Sequence, residues 1–187
     1  SPADIDYMIR EASIVAMRDH RAPITNRDLS EAYDRIAFGM KSNIKQNDAE
    51  KLWTAYHEAG HAIIAYLLHP SDDVIKASVI PRRGSLGMVY HRPQEESYKS
   101  TKEKFLAEIK VCIAAYVAER IKFGTTASGV GGGPGSDFYQ AMAIATRMVR
   151  SLGMGKSGLV GDFMYSEKYH LLSEKTKETL DDDVQNI

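Results

Sequence analysis

The segment WTAYHEAGHAIIAY, residues 53–66, carries three ionisable side chains on neighbouring turns of an otherwise apolar run: His57, Glu58 and His61. Desolvating such groups is costly unless each has a partner. Residues four apart project from the same face of a helix, so His57 and His61 can present a ring nitrogen to one Zn²⁺. The spacing therefore predicts a metal site on a helix.

Glu58 lies beside the histidine pair, where a carboxylate can take a proton from a zinc-activated water and return it to a leaving amine. The alternative is that the three groups merely share a solvated helix face. Small neighbours such as Ala59 and Gly60 argue against it, because they let another backbone approach the site. The pattern is typical of a zinc peptidase.

Two histidines leave a catalytic zinc one protein ligand short. The extended metzincin pattern needs a histidine where this chain has Leu67, so that class is excluded. Glu119 is a carboxylate within an apolar helix, and Asp137 opens a helix, where the positive end of the helix dipole favours an ionised carboxylate. Sequence spacing leaves both open as the third ligand.

The elements that must position these residues are mainly helical, with one small β element. In chain order we predict a helix from Ser1 to before Pro23, a second from Thr25 to Gly39, a third from Asn47 to about His69, strands VIKASVI and LGMVYH, a helix from Thr101 to Gly124, one over 137–152 and a last one from near Ser173. An edge position for strand 86–90 would let an unfolded chain pair with it; otherwise it only covers the core.

Composition indicates an ordinary soluble globular protein: 43% of residues are hydrophobic, 26% are charged and the net charge is -1. A nucleic-acid partner is not expected, because no basic excess exists to neutralise phosphates. The single cysteine, Cys112, argues for a reducing compartment. No apolar run approaches the ~18 residues of a membrane span, so we expect any membrane anchor to lie outside this sequence.

Other motifs carry less weight. GKS at 155–157 is not a P-loop, because Arg150 stands where its first glycine belongs and a helix precedes it. GVGGGPG at 129–135 is interpreted as a mobile loop beside the active site. The remaining histidines have no partner at ligand spacing and are expected on the surface or as helix caps: His20, His69, His91 and His170.

Three motifs in order, HEAGHA at 57–62, VAERIKFG at 117–124 and SDFYQA at 136–141, resemble the FtsH family of membrane-anchored AAA+ zinc proteases. Residues 1–39 also resemble the end of that family's helical AAA+ lid. The resemblance implies lid residues at 1–40, a linker at 41–47 and a zinc peptidase domain at 48–187 that continues beyond this chain. The implied fold class is a mainly α, helical zinc-peptidase domain with a small β element, preceded by a helical AAA+ lid fragment.

Carried over position by position, the resemblance makes His57, His61 and Asp137 the zinc ligands and Glu58 the catalytic acid/base. Glu119 then supports the ligands from outside without touching the metal. For Glu119 the alternative is a plain buried ion pair with Arg120 or another base. Segments 115–120 and 128–136 depart from the family pattern and indicate a divergent member.

The resemblance further implies ATP-dependent degradation of unfolded or membrane-extracted polypeptides by a homo-hexamer. ATP and Mg²⁺ would bind in an AAA+ core that this chain lacks, and the peptidase would face the cytoplasm from an inner membrane or its organelle equivalent. A different class of function, a non-catalytic zinc-stabilised oligomerisation module, is the alternative.

Overall fold

A computed structural model describes residues 1–82, 84–95, 98–164, 170 and 172–187. The chain forms two compact units, one made of Ser1–Asn47 and Val79–Gly87, the other of Asp48–Ser78 and Met88–Ile187. The described residues hold six α-helices, a short 3₁₀ turn and two strands, which confirms the predicted mainly α class.

The first unit is built on α1 (Pro2–Arg18) and α2 (Asn26–Phe38), which pack against each other. Both helices begin with a capping box, Ser1 with Asp4 and Thr25 with Asp28, in which two orphan backbone N–H groups are satisfied reciprocally. Small side chains allow the close packing, and three of them are fully or almost fully buried: Ala12, Ala16 and Ala32.

The stretch Val79–Gly87 belongs to the first unit although it connects two strands of the second. Arg82 is 2% exposed, and its guanidinium donates to Asp34 at 3.0 Å and to the carbonyl oxygen of Gly39 at 2.7 Å. The predicted peptidase domain, residues 48–187, includes this stretch. Local sequence does not reveal an ion pair between residues 48 positions apart.

The second unit contains α3 (Asp48–Leu68), α4 (Lys102–Phe123), α5 (Asp137–Arg150) and α6 (Glu174–Gln185). Helix α4 is central, because it packs against both α3 and α5, and α5 in turn contacts α6. The hydrophobic cluster between α4 and α5 consists of Phe105, Ile109, Ala141, Ala145 and Met148.

The predicted strands are confirmed as an antiparallel pair, β1 (Asp72–Ser78) and β2 (Met88–Pro93), with Val74 opposite His91. The register shifts between Val74 and Lys76. Both strands pack against α3, the helix that carries the histidine pair. The sheet therefore supports one side of that helix.

The ends of α4 follow the predicted signals. The Thr101 side chain accepts from the backbone N–H of Lys104, and Gly124 adopts the left-handed conformation, φ 73°, that glycine allows at a helix end. None of the helices in the described part of the chain is long and apolar enough to cross a membrane.

Segment 153–158, which contains the GKS sequence, is fixed by the protein itself. The backbone N–H groups of Lys156 and Ser157 both donate to the buried carboxylate of Asp183 on α6 at 3.1 Å. Lys102 of α4 donates to the carbonyl oxygen of Met154 at 2.6 Å. The amides that a phosphate would need are thus bonded to a side chain, in keeping with the rejection of a P-loop.

Candidate metal centre

One face of α3 presents the two histidines side by side. His57 and His61 are one helical turn apart, and their Nε2 atoms lie 3.3 Å from each other. Both rings are largely buried, with side-chain exposures of 17% and 13%. The arrangement expected from the four-residue spacing is present.

Helix α4 fixes both rings from behind. His61 Nδ1 lies 2.7 Å from the carbonyl oxygen of Val111, and His57 Nδ1 lies 2.8 Å from Oε1 of Glu119. Because a carbonyl or a carboxylate only accepts, each Nδ1 must carry the proton. In the neutral imidazoles the lone pairs are therefore on the two converging Nε2 atoms.

Glu119 is 1% exposed, and both of its carboxylate oxygens are used. While Oε1 accepts from His57, Oε2 accepts from the backbone N–H of Ala127 at 2.7 Å. Arg120, the partner in the ion-pair alternative, instead donates to the hydroxyl of Tyr116 at 3.2 Å. Glu119 thus ties α3 to the loop that leads toward Asp137.

Asp137 comes to the site from the start of α5, preceded by the N-cap residue Ser136. The glycine-rich loop before it requires positive φ at Gly132, Gly133 and Gly135, which explains its composition. The carboxylate oxygens of Asp137 lie 3.3 Å from His57 Nε2 and 3.4 Å from His61 Nε2.

In the described part of the chain, three side chains converge with the geometry of a metal site: His57, His61 and Asp137. Tetrahedral zinc with ligands at ~2.0–2.1 Å requires ligand atoms about 3.3–3.4 Å apart, the edge of that tetrahedron. The two Nε2 atoms, 3.3 Å apart, match this edge, and each lies near one Asp137 oxygen: His57 Nε2 is 3.3 Å from Oδ2 and His61 Nε2 is 3.4 Å from Oδ1.

One buried oxygen adds a second indication. When the imidazoles are neutral and carry their protons on Nδ1, Asp137 Oδ2 has no hydrogen-bond donor among the described residues, although it is buried beside His57. A buried acceptor without a donor is costly, and a cation between the three side chains would satisfy it. Two imidazole nitrogens and one carboxylate are also a donor set that suits Zn²⁺. The residues present thus fit zinc.

The electrostatics of the cluster favour a shared positive charge. Burial by itself lowers the pKa of His57, but the close carboxylates of Asp137 and Glu119 outweigh it and raise that pKa from 6.5 to about 9. Burial likewise raises the pKa of Asp137, yet His57 and His61 outweigh it and lower that pKa from 3.8 to about 2. Asp137 therefore remains an anion, and the imidazoles beside it favour a positive charge.

Glu58 is buried on α3 beside the cluster, and burial raises the pKa of its carboxyl group, partly offset by His61 and His57. Within the described residues its carboxylate has no hydrogen bond or ion pair. It differs in this from Glu119, whose oxygens are both bonded. Glu58 is therefore the carboxylate available to an incoming molecule.

The sequence model of peptidase family M41 matches residues 44–187. The chain belongs to peptidase family M41. The matched range contains all of the second unit, including α3, α4 and the start of α5 that bring the cluster together. Residues 44–187 are thus a peptidase domain, and the zinc expected from the sequence is the metal of that family's named relatives.

Three named proteins that are similar to this chain are zinc metalloproteases. It is 36% identical to the ATP-dependent zinc metalloprotease FtsH of Borreliella burgdorferi and 34% identical to that of Neorickettsia risticii, over 100% of this chain and 30% of each relative. It is 35% identical to FtsH 2 of Phytoplasma mali, over 99% of this chain and 26% of that protein. The predicted resemblance is confirmed, and the chain spans about three tenths or less of the length of these relatives.

Sequence reasoning missed a second histidine cluster. His69 is buried rather than on the surface: its Nδ1 accepts from the backbone N–H of Asp72 at 3.0 Å. His91 lies 2.8 Å from the other side of the same aspartate, through its Nδ1. The i, i+3 spacing of His69 and Asp72 was a signal, but His91 joins them only through the strand register. The cluster fixes the end of α3 on the sheet.

Proposed function

We propose that this M41 domain is the peptidase part of an ATP-dependent zinc metalloprotease that cleaves unfolded or membrane-extracted polypeptides. The observation that carries the proposal is the convergence of two imidazole nitrogens and one carboxylate at 3.3–3.4 Å, with an unengaged carboxylate beside them. Three ligands leave one position of a tetrahedral ion for water or substrate, as in catalytic zinc sites.

In this proposal His57, His61 and Asp137 hold the metal, and Glu119 with the Val111 carbonyl fixes the imidazoles in the ligating tautomer. Hydrogen bonds of this kind restrict ring rotation and raise the basicity of the ligating nitrogen. The short Nδ1 contacts of 2.8 and 2.7 Å support that role. Glu119 is not assigned as a ligand, because both of its oxygens are already bonded.

Bound Zn²⁺ would supply a Lewis acid that acidifies water and polarises the peptide carbonyl. Glu58 then accepts the proton of the attacking water and transfers it to the nitrogen of the leaving amine as the peptide bond breaks. Its burial raises the pKa of the carboxyl group, which makes Glu58 a stronger base for the first of these transfers. The same side chain thus first accepts the proton and later donates it.

An extended substrate can approach along the small sheet. A two-stranded sheet leaves an outer edge on each strand, and both strands pack against the helix that carries the histidines. Backbone pairing with such an edge recognises main chain rather than side chains, which suits unfolded substrates of varied sequence.

The remaining parts of the proposal concern the longer protein. ATP and Mg²⁺ would bind in an AAA+ core outside this chain, for which the first unit would be the end of the helical lid, followed by a linker at 41–47. The protein would act as a homo-hexamer anchored in an inner membrane, or its organelle equivalent, with the peptidase on the cytoplasmic side. The names of the relatives specify ATP dependence, which supports the ATP-binding part of this proposal.

A non-catalytic zinc-stabilised oligomerisation module is the second candidate. It gives no use for Glu58, because burying a carboxylate without a hydrogen-bond partner is costly. Glu58→Gln separates the two functions. Zinc should remain at about one ion per chain, while cleavage of an unstructured fluorogenic peptide should fall by ~10²–10⁴.

The matched control is Glu50→Gln, which changes an exposed glutamate in the first turn of the same helix and should leave the rate unchanged. Cleavage by Glu58→Gln at the unmodified rate, with zinc retained, would overturn the catalytic assignment and leave the structural module in its place.

A further inference from the structure

We infer that Gly60 is a positioning residue for the metal ligands: its missing side chain sets the separation of α3 and α4 at which α4 can hold both histidine rings. The inference rests on the proposed zinc site. It adds a requirement beyond the ligands themselves, because Gly60 has no side chain to offer a metal and contributes only the absence of a Cβ.

The contact at Gly60 is closer than any side chain permits. A Cβ at this position would lie 2.6 Å from the carbonyl oxygen of Ala114 and 2.9 Å from Cβ of Ala118. Ordinary non-bonded contacts between heavy atoms are about 3.5–4.0 Å. One of the two atoms is backbone, so the clash cannot be relieved by a side-chain rotation, and the helices would have to separate locally.

The contact lies between the two hydrogen bonds that orient the rings. Along α3 the order is His57, Gly60, His61, and along α4 their partners run in the opposite direction, Glu119, then Ala114 with Ala118, then Val111. A helix shift at Gly60 therefore acts on both bonds at once.

The two bonds have little room to lengthen. At 2.8 and 2.7 Å they are short, and a separation of about 0.5–1 Å would take them to or beyond the ~3.2 Å limit for N–H···O bonds. Both imidazoles would then be free to rotate, and the 3.3 Å spacing of their Nε2 atoms would no longer be enforced.

Helix propensity makes the opposite prediction. Within a helix, glycine is less favourable than alanine by roughly 0.5–1 kcal/mol. Replacing a glycine that has no packing role by alanine should therefore stabilise the protein. Gly60 is buried in the middle of a 21-residue helix, where propensity alone gives no reason for it. The sign of the effect of alanine thus separates the two interpretations.

The test is Gly60→Ala in the full chain, with zinc affinity measured by competition against a chromophoric chelator and ligand geometry measured from the visible spectrum of the Co²⁺-substituted protein. We expect zinc to bind about 10–100-fold more weakly and the intense tetrahedral Co²⁺ bands to lose intensity. Ala118→Gly in the same chain removes the clashing side-chain atom, so the double variant should recover part of the affinity.

Ala59→Ser is the matched control, since it adds one heavy atom at the neighbouring exposed position and should change neither readout. If Gly60→Ala does not fold, Ala118→Ser enlarges the same contact from α4 and should weaken zinc binding in the same direction. Unchanged affinity and an unchanged Co²⁺ spectrum in a folded Gly60→Ala protein would overturn the inference, and so would a change in melting temperature alone. Failure of the zinc site itself would look different, because the unmodified chain would then show no affinity that depends on His57.

Discussion

Glu119 Oε1 lies 2.8 Å from Nδ1 of His57, although the two residues are 62 positions apart in the chain. The pair joins α4 to α3 at the point where the candidate zinc ligands converge. A buried carboxylate is retained here because its second oxygen also has a donor, the backbone N–H of Ala127. Glu119 on α4 therefore links this helix to α3 and to the loop that leads toward Asp137.

Substitution Glu119→Gln tests this link. A carboxylate accepts from both His57 and Ala127, whereas an amide offers one oxygen and turns a donor toward the other N–H. Zinc affinity, measured by chelator competition, should fall about 10–100-fold, while saturating zinc still fills the site. Glu103→Gln, an exposed position in the first turn of α4, is the control. Complete loss of zinc at saturation would instead make Glu119 a ligand.

Substitution Arg82→Met tests the anchoring of Val79–Gly87 in the first unit. Asp34 would keep a buried charge without its guanidinium partner, and removing one member of a buried pair costs about 3–5 kcal/mol. Hydrogen exchange of the α2 amides should accelerate accordingly. Replacing Asp34 by Leu in the same chain should recover part of the loss, because the buried carboxylate is then removed together with its guanidinium partner.

Lys41→Met is the control for Arg82→Met, since the Lys41–Glu31 pair is more exposed and should be worth at most ~1 kcal/mol. Equal protection of α2 in Arg82→Met and in the unmodified chain would refute the buried anchor.

Asp183 should make the stability of the second unit depend on pH in the acidic range. Hydrogen bonds from the Ser157 hydroxyl and from the backbone hold its pKa below the ordinary 3.8. A carboxyl group with a lowered pKa in the folded state stabilises the fold above about pH 4, and that contribution is lost as pH falls below 3.8 toward the folded pKa. Thermal unfolding should therefore show a smaller difference between pH 7 and pH 3 for Asp183→Asn than for the unmodified chain.

Asp182→Asn, at an exposed neighbouring position on α6, should retain the full acid dependence. At pH 7 the Asp183→Asn substitution should cost about 1.5–3 kcal/mol, the range for hydrogen bonds to a charged group. If the loss of stability between pH 7 and pH 3 is identical in all three proteins, Asp183 is not its origin.

Much of the local structure was predictable, because its signals are local. The Ser1 and Thr25 capping boxes, the Thr101 cap and the Gly124 helix end all depend on residues within one turn. The pairing of His57 with His61 depends only on helical periodicity. These features follow from the sequence without knowledge of the tertiary fold.

The remaining features of the fold and the site depend on contacts between residues that are distant in sequence. Residue types and spacing left Glu119 and Asp137 equivalent as third-ligand candidates, and resemblance to FtsH proteases chose between them. The structure adds the reason why both can be near the histidines: one faces Nδ1 and the other faces Nε2. Likewise, the burial of His69 and the insertion of Arg82 into the first unit arise from strand register and from a long-range ion pair.

The most direct test of the proposed zinc site is X-ray diffraction from crystals of the zinc-loaded protein, with data collected on both sides of the zinc absorption edge. We predict one strong anomalous peak per chain, bonded at about 2.0–2.2 Å to Nε2 of His57, Nε2 of His61 and a carboxylate oxygen of Asp137. Glu119 should remain on Nδ1 of His57. A peak bonded to Glu119 with Asp137 turned away, or no peak between the two histidines, would contradict the proposed zinc site.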